Sequence, residues 1–105
     1  MGGTIKVSYR LSDKRKVTLR ALTALEMEEL LIAIQNPAKA GFEMAKRALV
    51  KVDGVDVTPD NRDVLWASLR PKDTTLIVEA FSRLHTPSDE ERRDFFASEE
   101  IEVEG

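Results

Sequence analysis

Four prolines punctuate this 105-residue chain and limit it to short elements. Proline lacks a backbone N–H, fixes φ, and pushes the preceding residue out of helical geometry. Asn36-Pro37 therefore closes one apolar periodic run, and Pro59 sits in the first turn of another. Arg70-Pro71 interrupts that one, and Thr86-Pro87 ends a third. What lies between these marks decides which elements form.

Before the first proline the pattern has period two. From Thr4 to Arg10, the apolar Ile5, Val7 and Tyr9 alternate with Lys6, Ser8 and Arg10, the pattern of a half-buried strand. Val17 and Leu19 continue the apolar face, and Leu11-Ser12-Asp13-Lys14-Arg15 between them supplies turn chemistry. The opening reads as a β-hairpin with a basic solvent face. The period then becomes helical. Thr23 and Glu26 have capping-box spacing, and Met27, Leu30, Leu31 and Ile34 repeat at helical intervals, predicting a helix over Ala24 to Gln35.

After Pro37, Phe42, Ala45 and Leu49, with Met44 and Ala48, predict a second helix whose first turn is weakened by Gly41. Two β-branched runs then flank Asp53-Gly54, a strong signal for a small second hairpin because both residues tolerate positive φ. A third helix, capped by Thr58 or Asp60, is expected to turn Val64, Leu65 and Leu69 inward with Trp66 on its flank. The fourth, Lys72 to His85, has the most regular stripe: Leu76, Ile77, Ala80, Phe81 and Leu84. Ser88 and Glu91 form another capping box, opening a short helix to Ala97. Leu30, Ile34, Trp66, Leu76 and Phe81 are assigned to the core.

The reading is thus one α+β domain over residues 1 to 97: an N-terminal hairpin, a small second hairpin and four to five short helices. Residues 98 to 105 are an acidic tail, flexible or ordered by a partner. At this length, with 42% hydrophobic and 33% charged residues, the chain suits one globular core. No window approaches the ~18 consecutive apolar residues of a membrane-spanning helix. Met1-Gly2-Gly3-Thr4 lacks the regions of a secretory signal, and cysteine is absent, so a cytoplasmic location is expected.

The chemistry-bearing residues point away from catalysis. His85 is the single histidine, and as the end of a helix it reads as structural, favouring the helix dipole when protonated. Asp53 and Asp56 belong to a turn and fall short of a calcium loop, while Glu28 and Glu29 read as a solvated helix face. No glycine-rich loop ends in Lys-Ser or Lys-Thr. The chain is expected to be no enzyme and to need no cofactor or metal.

Binding features are more evident. Lys6, Arg10, Lys14, Arg15, Lys16 and Arg20 face only Asp13 in the opening segment. From Ser88 onward, Asp89, Glu90, Glu91, Asp94, Glu99, Glu100, Glu102 and Glu104 face only Arg92 and Arg93. Lys14, Arg15 and Lys16 are the candidate basic contact, suited to an acidic protein surface or serving only to guard the strand edge. An isoelectric point near 5.2 and a basic face nearly free of aromatics argue against nucleic acid. Phe95 and Phe96 are candidate anchors, and Ile101 and Val103, alternating with glutamates, are candidate strand-type contacts. The alternative for Phe95 is packing within its own chain. The opposite ends predict that the acidic tail meets a basic hairpin, in the same chain or in a neighbouring copy.

The order of parts resembles the small tail-assembly proteins, often called tail assembly chaperones, of tailed bacteriophages and related phage-like particles. The likeness is carried by Leu19-Arg20-Ala21-Leu22-Thr23 at the entry to the first helix and by Val50-Lys51-Val52-Asp53-Gly54-Val55. Leu65, Leu69 and Asp73 add a Leu-x-x-Leu-x-x-x-Asp element that fits approximately, and the whole spans residues 4 to 97. The resemblance implies a protein without a catalytic site. It would bind an aggregation-prone tail component such as the tape-measure protein, or be built into the tail or baseplate, and would act in the host cytoplasm. Ile5 to Leu19 followed by the helix at Ala24 also resembles the ββα opening of ubiquitin-like β-grasp domains, although the conjugating Gly-Gly end is missing. A small nucleic-acid-binding regulator is a third class, and it requires a basic face continuous in three dimensions.

Overall fold

A computed structural model describes residues 5–102. Thr4 and Val103, both part of the sequence expectations, lie outside them. The elements follow as β1 (Lys6–Arg10), β2 (Lys16–Arg20), α1 (Ala24–Ile34), α2 (Pro37–Ala48), β3 (Leu49–Val52), β4 (Val55–Asp56), α3 (Arg62–Ala67), α4 (Pro71–His85) and α5 (Asp89–Ala97). The fold is mixed α+β.

The two expected hairpins join into one antiparallel sheet of order β1-β2-β3-β4. β2 pairs with β3 through Leu19↔Leu49, Thr18↔Lys51 and Val17↔Val52, with a register shift between Thr18 and Leu19. Leu49 and Val52 can therefore both reach the core although they are three residues apart. The first turn is closed by the Leu11 N–H donating to the Arg15 carbonyl (2.7 Å) and the Lys14 N–H to the Leu11 carbonyl (2.9 Å). Lys14 takes a left-handed φ of 75° there. In the second turn Asp53 and Gly54 have φ of 50° and 82°, the two positive values that a tight hairpin between twisted strands requires.

One face of the sheet is covered by helices. Val17 and Leu19 are fully buried against Ala45, Ala48, Ile77 and Phe81. Both predicted capping boxes form. Thr23 Oγ1 accepts from the Glu26 N–H, and the Glu26 carboxylate accepts from the Thr23 N–H; Ser88 and Glu91 repeat the arrangement. Gln35, expected inside the first helix, is its left-handed C-cap at φ 57°. Asn36 then caps α2, so Pro37 opens that helix at the position where its missing N–H costs nothing.

Three expectations need correction. Val64 is 71% exposed because α3 spans only six residues and starts at Arg62. Pro59 and Asp60 form a turn before α3, where Thr58 and Asn61 exchange backbone-to-side-chain hydrogen bonds, and neither is helical. Leu76, assigned to the core, is 50% exposed: the buried stripe of α4 runs through Asp73, Ile77, Ala80 and Phe81, leaving Leu76 at its border. Leu31 is also exposed, while Leu30, Ile34 and Trp66 are partly buried against the core and Phe81 lies within it.

Candidate functional site

α5 is held by its own caps. The Glu91 carboxylate accepts from the Ser88 N–H at 2.9 Å, a bond that holds this carboxyl below its usual pKa. At the other end the Ser98 hydroxyl donates to the Phe95 carbonyl at 2.7 Å. Asp89, Glu90 and Glu91 in the first turn suit the helix dipole. None of its residues is buried, and it packs substantially against no other described element. The radius of gyration, 16.8 Å, exceeds the roughly 13 Å of a compact 100-residue domain, as a projecting helix requires. Phe95 and Phe96 are 71% and 66% exposed, with their rings edge to face at 5.1 Å. With Pro87, Glu91 and Arg92 they line a shallow hollow. Among the described residues Phe95 is buried against no part of the core. Ile101 is 80% exposed and lies in no strand. No ion pair joins Glu99, Glu100 or Glu102 to the hairpin among the described residues.

The basic hairpin divides into free and committed charges. Lys6, Ser8 and Arg10 pair with Arg20, Thr18 and Lys16, and the Ser8 and Thr18 hydroxyls are 2.9 Å apart. Arg20 donates twice to Glu26, at 3.0 and 2.7 Å. That guanidinium, then the Thr23 N–H, lowers the Glu26 pKa to about 2. Arg15, a candidate contact, is turned inward: it bonds Asp13 at 2.8 Å and the Ser68 carbonyl at 3.2 Å. Lys14 and Lys16 are exposed at the turn and are free of ion pairs among the described residues.

The same turn meets α4 through a polar cluster that sequence reasoning missed. Asp73 has no exposed surface, and its carboxylate accepts from the Ser12 hydroxyl (2.8 Å), the Ser12 N–H (3.1 Å) and Arg70 Nε (3.3 Å). Burial pushes this carboxyl up, but the Ser12 donors and Arg70 together bring it below its ordinary value. The far end of α4 is fastened by His85. Nε2 accepts from the Leu22 N–H at 2.8 Å, and Nδ1–H donates to the Phe81 carbonyl at 2.8 Å. His85 is thus a brace between α4 and the entry to α1, the structural role expected of it, made through its ring nitrogens.

Two further surfaces stand open. α1 has no buried residue, and Leu25 (62% exposed) and Ile32 (74%) flank Glu28 and Glu29 on its outer side. The signal was available: Leu25, Met27, Leu30, Leu31, Ile32 and Ile34 encircle the helix and cannot all face inward. Between β1 and α4 runs a groove of about 250 Å³, lined by Tyr9, Leu11, Leu76 and Ala80, with Arg10, Glu79 and Arg83 also on its walls. No group of three potential metal ligands occurs among the described residues. Asp53 and Asp56 act in the β3–β4 turn, where Asp56 pairs with Lys51 at 3.7 Å.

Comparisons with protein families, curated proteins and solved structures found nothing that matches this chain.

Proposed function

We propose that this chain is a non-enzymatic protein-binding module whose docking element is α5. The supporting observation is the Phe95–Phe96 pair, two large aromatic side chains held in water on a capped helix that rests on no core. Exposed aromatics rimmed by charge are the usual anchors for a helix entering an apolar groove. Leu25 and Ile32 on α1 add a second apolar surface for the same kind of partner. In the role that its order of parts resembles, the partner is an aggregation-prone tail component such as the tape-measure protein. The chain then acts as a tail assembly chaperone or as a tail or baseplate component.

The test is affinity purification from the native host, comparing the wild type with a Phe95→Ser, Phe96→Ser double variant. Tail or baseplate proteins should be recovered with the wild type and lost with the variant, whose circular dichroism is unchanged. Recovery of no tail protein with the wild type contradicts the reading.

One observation favours a second reading. Lys6, Arg10, Lys16 and Lys51 share the outer sheet face, a set of cations of the kind a nucleic-acid-binding regulator uses, although Lys51 pairs with Asp56. Steeply salt-dependent binding to duplex DNA, insensitive to the phenylalanine changes, would put this reading first.

A further inference from the structure

β1 is an edge strand: β2 is its one neighbour, and the described sheet continues only on that side. An edge strand carries unpaired N–H and C=O groups along its outer side and is a template for one more strand. Its two faces differ sharply. Lys6 and Arg10 stand on the outer face of the sheet, and neither makes an ion pair among the described residues. The helix-side face carries Val7 and Tyr9, and Tyr9, still 38% exposed, lines the mainly apolar groove against α4. Whatever pairs with this edge must therefore be apolar on one face and acidic on the other, with a period of two.

The chain contains such a segment. Glu100-Ile101-Glu102-Val103-Glu104 alternates glutamate with β-branched residues, so as a strand it puts Ile101 and Val103 on one face and the glutamates on the other. We propose that the C-terminal segment of a second copy adds to β1 as a fifth strand. Ile101 and Val103 then lie over the groove, and Glu100, Glu102 and Glu104 lie alongside Lys6 and Arg10. A one-residue slip would set the glutamates against the apolar groove, so the alternation also selects the register.

A second copy is favoured over the chain's own end because α5 stands off the body, and Glu99 to Glu102 are exposed without an ion pair to the hairpin. Each copy offers one β1 edge and one tail. The contact is thus head-to-tail, and it propagates into a ring or a filament. It is independent of the partner reading above, which rests on Phe95 and Phe96.

Sedimentation velocity on the full chain, from micromolar to millimolar, tests this. The wild type should gain mass with concentration. Lys6→Glu with Arg10→Glu, and separately Glu100→Lys with Glu102→Lys, should each weaken association about tenfold or more. All four changes in one chain restore opposite charges across the contact and should restore association. The Phe95→Ser, Phe96→Ser protein should still associate, so the two readings fail separately. A wild type that stays monomeric overturns the proposal, as do charge-reversed variants that associate unchanged, a four-fold variant that does not recover, or loss of association with the phenylalanine changes.

Discussion

The two ends of the helical layer are built on opposite principles. α4 is fastened at its start by a fully buried carboxylate, Asp73, satisfied by Ser12 and Arg70, and at its end by the ring of His85. Between them Ile77, Ala80 and Phe81 are buried. α5 has a capping box, which α4 lacks, but no buried residue, and it displays two phenylalanines. Burial, and not capping, thus accounts for whether a helix belongs to the folded body. A capped nine-residue helix is shorter than the roughly 12–15 residues at which isolated helices become marginal, so without burial its caps leave it prone to fraying.

The largest effect that sharpens this contrast comes from the body's core. Leu19→Ala should cost about 3 kcal/mol, read by urea denaturation, because the side chain is fully buried. A loss under ~1 kcal/mol would mean the sheet does not anchor α4. His85→Ala, which orphans the Leu22 N–H, should cost about 1–3 kcal/mol. If His85 merely faced solvent, that change would be neutral.

Acid should act next. Glu26 has a folded pKa of about 2 against an ordinary value of 4.5. Its contribution is therefore complete above pH 4.5 and lost as the pH falls toward 2. Glu26→Gln should cost on the order of 1 kcal/mol at pH 7, after allowance for solvent screening, and almost nothing near pH 2. An equal cost at both pH values would remove the ion pair from the account. The smallest effect belongs to α5: Phe95→Ser with Phe96→Ser should change stability by no more than about 0.5 kcal/mol. A larger loss would place the pair in the core and break the contrast.

Much of this body was legible because its signals are local. Thr23 and Glu26, Ser88 and Glu91, and Asp53-Gly54 each act within a few residues, and their elements formed where expected, whereas Pro59 opened no helix. Joining of the hairpins was not legible, since pairing Leu19 with Leu49 depends on two intervening helices returning the chain to β2. Asp73 entered only as the last position of a Leu-x-x-Leu-x-x-x-Asp element, and nothing nearby in the sequence announces Ser12 as its partner. Leu76 and Val64 fit a helical stripe, but where a stripe ends depends on the neighbour that covers it. Of the candidate site, Phe95 and Phe96 stood out on a segment rich in charge. Leu25 and Ile32 were half legible: apolar residues encircling α1 mean that some must face out, but which ones depends on the neighbours that cover the helix.

Amide hydrogen exchange on the full chain, at dilution low enough to keep it monomeric, tests the division between body and docking helix most directly. The amides of Ile77 and Phe81 in α4 and of Val17 and Leu19 in β2 should exchange only through global unfolding, while those of Asp94 to Ala97 exchange at nearly unprotected rates. Protection in α5 equal to that in α4 would contradict the account.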